Sequence, residues 1–69
     1  MPLIIAPLNQ PVKVIKILAD DKTKKHLESL GITINSLLTV VQNSSSIVVK
    51  VKDGRLALDA GLATKIVVA

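Results

Sequence analysis

Residues Lys24 to Val41 read KKHLESLGITINSLLTVV, and this segment combines the signals of a helix, of its end and of a following strand. Its apolar residues change within one residue from helical to strand spacing. Leu27 and Leu30 are three apart, so they lie on one face of a helix. Gly31 can adopt the left-handed conformation that closes such a helix, and Ile32 directly after it can fold back onto the last turn. The stretch therefore predicts a short helix, a glycine at its end and then a strand.

Helix signals extend this unit backwards, and a second, smaller helix is expected near the end of the chain. The run from Lys22 to Leu30 contains neither Pro nor Gly, and either Asp20 or Asp21 can cap its positive end. A single helical turn capped by Asp59 is expected further on, at residues 60–63. The chain is therefore expected to contain one short amphipathic helix and one further turn of helix.

Short apolar runs on either side predict five strands, at Val12–Ile17, Leu37–Gln42, Ile47–Lys52, Arg55–Leu58 and Lys65–Val68. The alternation of the first run slips by one at Val14 and Ile15, which predicts a bend or bulge. Asp53-Gly54 predicts a two-residue hairpin turn. Before the first strand, Pro7–Pro11 (PLNQP) cannot donate backbone hydrogen bonds at its prolines, so this segment is expected to run along an edge or outside the sheet. Regular structure is expected to begin at Val12.

The length and the strand count together predict a small closed sheet. With 69 residues the chain forms one domain over residues 1–69, and it contains neither cysteine nor aromatic residues. Its core must therefore consist almost wholly of Ile, Val and Leu. Five short strands are too few for a sandwich, and a flat sheet would leave its edges unpaired. We predict an all-β fold, a small SH3-like barrel with one short helix in its first long loop.

Charge and the first residues give expectations about location and partners. Nine Lys and Arg against five Asp and Glu give a net charge of +4, which favours acidic partners or anionic surfaces. Residues 1–7 are apolar but have no basic n-region, and prolines interrupt them before a signal or membrane segment is reached. A cytoplasmic location is therefore expected. Unpaired strand edges would also favour a homo-oligomer.

Catalysis is not expected, because the chain lacks the groups that act together in active sites. His26 is the only histidine and has no cysteine to pair with, and the serines at 44–46 have no Gly-x-Ser-x-Gly frame. The isolated glycines form no phosphate-binding loop. We therefore predict a protein that is not an enzyme and has no cofactor.

Weak binding of a transition metal is the alternative that the acidic residues leave open. Asp20 and Asp21 could chelate a metal together with His26, although such sites normally have more ligands. The simpler interpretation is that the aspartates cap the helix and His26 is a half-exposed helix residue. Only a symmetric oligomer, which repeats each weak ligand, would favour a metal-binding regulatory module.

Read in order, PLNQPVKVIKI, HLESLGITINSLLTVV and IVVKVKDGRLALDAGLATKIVV resemble the ferrous iron transport protein A (FeoA) family across essentially the whole chain. The matching positions are Leu27, Leu30, Gly31, Val51, Gly54, Leu58, Ala63, Ile66 and Val68. Where the family usually has a Gly before its second strand, this chain has Ile34-Asn35-Ser36. Since Asn tolerates positive φ, we expect the turn to be kept. In the loop at 43–46 members often carry a longer segment.

The resemblance implies a small cytoplasmic accessory of the ferrous iron transporter FeoB, whose cytosolic part is a GTP-binding domain. It implies binding to other proteins and no catalytic role. Any contact with the inner face of the membrane would be made indirectly, through the transporter.

The helix and the turn after it are the surface expected to bind that partner. Lys22, Lys24 and Lys25 oppose the positive end of the helix dipole, so helix stability does not explain them, whereas a nearby GTPase surface or anionic bilayer would. We expect these lysines to steer the protein partner. Leu27 is core by ordinary burial frequencies, but at the rim of so short a helix it would supply apolar contact together with Ile32.

Nucleic acid is the rival partner, since small basic barrels bind RNA. Single-strand binders stack bases on aromatic rings, and this chain has none, so only weak, salt-sensitive phosphate contacts would remain. The same absence argues against a groove for proline-rich peptides. We therefore expect a protein partner and no nucleic acid.

Overall fold

A computed structural model describes residues 1–52 and 54–69, and over these residues the chain forms a five-stranded antiparallel sheet with two α-helices. The strands are β1 (Pro11–Ile17), β2 (Leu37–Asn43), β3 (Ile47–Val51), β4 (Gly54–Leu58) and β5 (Ile66–Val68). The helices are α1 (Asp21–Ser29) and α2 (Ala60–Ala63), and a 3₁₀ turn precedes them at Leu3–Ile5. The predicted elements are therefore present, and no end differs from its predicted position by more than one residue.

The sheet bends into a small SH3-like barrel because the two halves of β1 pair with different strands. The strand order is β4-β3-β2-β1-β5. The first residues of β1, Pro11 to Lys13, pair with β2, and its later residues pair with β5. The β1–β5 register shifts between Val14 and Lys16, which places the predicted bulge where the strand changes partner.

The expectation that regular structure begins at Val12 is wrong. Leu3 is fully buried and Ala6 nearly so, and the backbone of Met1 exchanges hydrogen bonds with that of Val68. The opening residues therefore cover the free edge of β5. The prolines do not prevent this, because the residues around them still pair with a sheet edge, as the isolated bridge between Pro2 and Val67 shows.

The core is aliphatic, as the composition requires. Alternate residues of the strands point into it, and the largest fully buried side chains are Leu3, Val14, Leu27, Ile32, Leu38, Val40, Ile47, Val49, Ile66 and Val68. Among the residues described, no buried side chain is polar or charged. Apolar burial is thus the main stabilising term.

The end of α1 is a Schellman motif formed by the residues that the sequence singled out. Gly31 has φ +92°, its N–H donates to the Glu28 carbonyl at 3.0 Å, and the Ile32 N–H donates to the Leu27 carbonyl at 2.9 Å. These are the two bonds that define the motif, and its usual apolar contact is supplied by Leu27 and Ile32 in the core. The turn that follows is also kept, with Asn35 at φ +73°.

The predicted hairpin turn at Asp53-Gly54 includes Asp53, which lies outside the described residues. Gly54 already belongs to β4 and pairs with Val51, one residue earlier than the strand expected at Arg55. The second helical turn agrees with expectation, since the Asp59 side chain accepts a hydrogen bond from the Leu62 N–H at 2.7 Å.

Candidate docking surface

Helix α1 is held at its start by Asp20, one of the two capping residues that the sequence left open. The Asp20 carboxylate accepts a hydrogen bond from the Thr23 N–H at 2.8 Å. Hydrogen bonding from the Thr23 side chain and backbone lowers the pKa of this carboxyl below its ordinary value, and the positive charge of Lys65 adds to the effect. Asp20 therefore acts as a charged cap, which fixes how α1 leaves β1.

The three lysines expected to steer a partner are all on the surface. Lys22, Lys24 and Lys25 are exposed, and so is His26. They occupy the first part of a nine-residue helix whose only fully buried side chain is Leu27. The outer face of α1 is therefore basic and open to solvent.

Leu27 and Ile32 do not belong to this surface. Both side chains have 0% exposure, because the Schellman motif folds the chain after Gly31 back onto the last turn of α1 and seals both residues against the sheet. The assignment of Leu27 to the core is confirmed, and the expectation that Leu27 and Ile32 supply apolar contact to a partner is wrong. Their contribution is to attach α1 to the barrel.

Other aliphatic residues near α1 are exposed in their place. Ile15 and Ile34 are 48% and 49% exposed, and Leu18 is 53% exposed. Ile15 sits at the register shift of β1, and Ile34 precedes the left-handed Asn35. A bulge and a left-handed residue both redirect neighbouring side chains. The slip at Val14 and Ile15 was the available sequence signal, but it gave no direction for the side chain.

Ile15 and Ile34 line an open cleft between β1, α1 and the turn after α1, which we call the Ile15–Ile34 cleft. Its volume is about 240 Å³, and its lining consists of Ile15, Lys16, Ile17, Lys24, Glu28, Thr33 and Ile34. A second, wider depression continues from it along the end of β1, where Leu18 and Lys65 join the lining. Exposed aliphatic side chains and lysines thus lie together beside α1.

A metal site and a membrane-spanning helix were also sought in the part of the chain that the structure describes. No group of three or more His, Asp or Glu residues there lies close enough to hold a metal ion, and Asp20 is engaged as a cap. Neither described helix has the length and apolar character that crossing a membrane demands. The surface beside α1, by which we mean the exposed side chains of Lys22, Lys24 and Lys25 together with those of Ile15, Leu18 and Ile34, combines positive charge with exposed aliphatic groups.

The strand order, the shared β1 and the single helix in the first long loop define a small SH3-like barrel domain. The model of the FeoA domain family matches residues 1–69, so the chain belongs to that family. The resemblance inferred from the sequence is thereby confirmed. Membership of the family implies a role in ferrous iron transport.

Solved structures agree with this assignment. A crystal structure of an iron uptake regulatory protein (FeoA) has a TM-score of 0.91 and 26% identity, over 100% of this chain and 93% of that one. A FeoA-like protein from Clostridium acetobutylicum has a TM-score of 0.85 and 21% identity, over 100% and 84% of the two chains. Iron(II) transport protein A from Clostridium thermocellum has a TM-score of 0.87 and 19% identity, over 99% of this chain and 44% of that one. The last two support the fold alone.

A comparison with curated protein sequences found no match.

Proposed function

We propose that the protein is a non-enzymatic accessory module of ferrous iron transport, which binds the cytosolic GTP-binding domain of a FeoB-type transporter. The proposal places the protein in the cytoplasm, beside the membrane only where the transporter holds it there. Family membership supports the biological setting, and the surface beside α1 supports the mode of action.

The observation that carries the proposal is the exposed lysine face of α1 beside exposed aliphatic side chains. Lys22, Lys24 and Lys25 are near the positive end of the helix dipole, where basic residues do not stabilise the helix. About half of the surface of Ile15 and of Ile34 is exposed to solvent, which is unfavourable for aliphatic side chains. A surface with a charged rim and an apolar centre is typical of a protein interface.

The charges and the aliphatic residues would contribute differently to binding. Exposed lysines raise the association rate towards an acidic surface and fix its orientation, and salt weakens this contribution. The aliphatic centre supplies affinity that depends little on salt. We therefore expect the complex to form more slowly at high ionic strength while its dissociation rate changes little.

Titration of this protein with the GTP-binding domain of a co-resident FeoB-type transporter tests the proposal. Calorimetry at low and high ionic strength, with and without guanine nucleotide, should detect binding that weakens with salt. A single-stranded RNA serves as the control ligand. Binding to RNA and none to the domain would overturn the proposal, since the basic surface would then have a different class of partner.

A further inference from the structure

The Ile15–Ile34 cleft is too small for an ordinary cofactor or metabolite. Its volume is about 240 Å³, below the range of roughly 300–1,000 Å³ that is usual for pockets holding drug-sized ligands. Ile15 and Ile34 give it an apolar lining. A cleft of this size and lining fits one aliphatic side chain inserted from another molecule.

The charges around the cleft favour an acidic occupant. Lys16 and Lys24 line it together with one acid, Glu28. The adjoining depression adds Lys65, while its own acid, Asp20, already accepts the capping bond from Thr23. Acidic residues on either side of an inserted apolar side chain would therefore meet three lysines. A second copy of this basic chain would be repelled by the same charges.

The backbone of β1 favours an extended occupant. The Leu18 N–H donates to the Lys65 carbonyl at 2.7 Å, and Ile17 is paired with Ile66. Backbone groups alternate in direction along an antiparallel strand, so the N–H and C=O of Ile17 point away from β5. Ile17 lines the cleft although its side chain is 7% exposed, which agrees with its backbone facing this side. An extended segment could bond to the backbone of Ile17 on this side, whereas the backbone of Val14 already bonds to Asn35 and Ser36.

We propose that the Ile15–Ile34 cleft binds an extended acidic segment of a partner protein, with one aliphatic side chain inserted between Ile15 and Ile34. The inference deepens the proposed function, because it names the chemistry by which the surface beside α1 would recognise the transporter's GTP-binding domain.

Short synthetic peptides test the chemistry without the transporter. The probe is a peptide with one Leu flanked on both sides by Asp and Glu. One control replaces the Leu by Ser, and a second replaces the acids by Asn and Gln. We expect the probe to shift the amide NMR signals of Ile15, Lys16 and Ile34, and each control to bind about tenfold more weakly. Equal binding of the Ser peptide, or shifts confined to other surfaces, would overturn the inference.

A matched pair of variants tests the cleft itself. Ile34→Ser removes an exposed aliphatic side chain from the cleft, and Ile5→Ser removes one from the 3₁₀ turn, where Ile5 is 65% exposed. Both sites are exposed, so the melting temperature should change little in either variant. Ile34→Ser should weaken binding of the Leu peptide about tenfold, and Ile5→Ser should not. Equal weakening in both variants, or none in Ile34→Ser, would overturn the inference.

The same variants separate this inference from the proposed function. Binding of the GTP-binding domain that is insensitive to Ile34→Ser would overturn the inference while the proposed function stands. Selective binding of the acidic Leu peptide, without binding of the domain, would support the cleft's specificity and overturn the proposed partner.

Discussion

At the scale of single residues, Asp20 shows how a local hydrogen bond gives stability a dependence on pH. Hydrogen bonding from Thr23 lowers the pKa of Asp20 in the folded protein below its ordinary 3.8. The unfolded chain therefore binds a proton at this carboxyl more readily than the folded chain does. The stabilisation is fully present above the ordinary pKa and is lost as the pH falls through the lowered one.

Replacement of Asp20 by Asn tests this dependence. The Asn side chain can still accept the bond from the Thr23 N–H, but it does not titrate. The melting temperature of the native protein should fall from about pH 5 to about pH 2 more than that of Asp20→Asn does, since only the native cap becomes protonated. Asp20→Ala, the control, should melt lower at neutral pH because the cap is lost. Parallel acid profiles of the native and Asn proteins would contradict the account.

Gly31 is the second residue at which one backbone angle decides local structure. Its φ of +92° favours glycine, and a Cβ placed there would meet no atom within 4 Å, so any penalty is conformational. We expect Gly31→Val to cost about 1–3 kcal/mol of unfolding free energy, measured by chemical denaturation. Gly31→Asn should cost less, because Asn tolerates positive φ better. Equal stability of the Val variant and the native protein would show that α1 does not need this turn.

At the scale of elements, Leu27 attaches α1 to the sheet. Its side chain is fully buried in the aliphatic core, and its carbonyl accepts the bond from Ile32. We expect Leu27→Ala to lower the unfolding free energy by about 2–5 kcal/mol, the usual range for removing a buried leucine. Leu37→Ala is the matched control, since Leu37 is 66% exposed and its loss should change stability by about 0.5 kcal/mol or less. Similar losses in the two variants would contradict the burial of Leu27.

The elements also show what a sequence can predict. The ends of α1 follow from Asp20 and Gly31, and the β1 bulge follows from the slip at Val14 and Ile15, since these signals are local. The burial of Leu27 and Ile32 depends on how the chain after Gly31 packs against the sheet. Burial frequencies favoured the core for Leu27, and the glycine at the helix end predicted that Ile32 folds back onto the last turn. Neither signal shows whether the rim of so short a helix is sealed, so both residues were still expected to contact a partner.

The opening segment was missed for a related reason. Leu3 enters the core from a 3₁₀ turn of three residues, which is too short for a periodic signal. The exposure of Ile15 and Ile34 was equally hard to predict from the sequence. Their positions depend on the register of β1 against β5 and on the conformation of Asn35, both of which are set by the assembled sheet.

At the scale of the whole molecule, a small aliphatic barrel carries a net charge of +4 and presents the basic helix α1 on its surface. The barrel fixes α1 through core contacts, so lysines on the outer face of α1 can be replaced without disturbing packing. This separation of core and surface allows the docking surface to be tested by variants that fold normally.

Docking through the surface beside α1 is tested by comparing how Lys24→Glu and Lys50→Glu bind the GTP-binding domain of a FeoB-type transporter. Both lysines are exposed and both changes alter the net charge equally, but Lys24 lines the Ile15–Ile34 cleft and Lys50 lies on β3. We expect Lys24→Glu to weaken binding about tenfold and Lys50→Glu to weaken it much less. Equal weakening by both variants would mean that only overall charge matters, and would contradict docking through the surface beside α1.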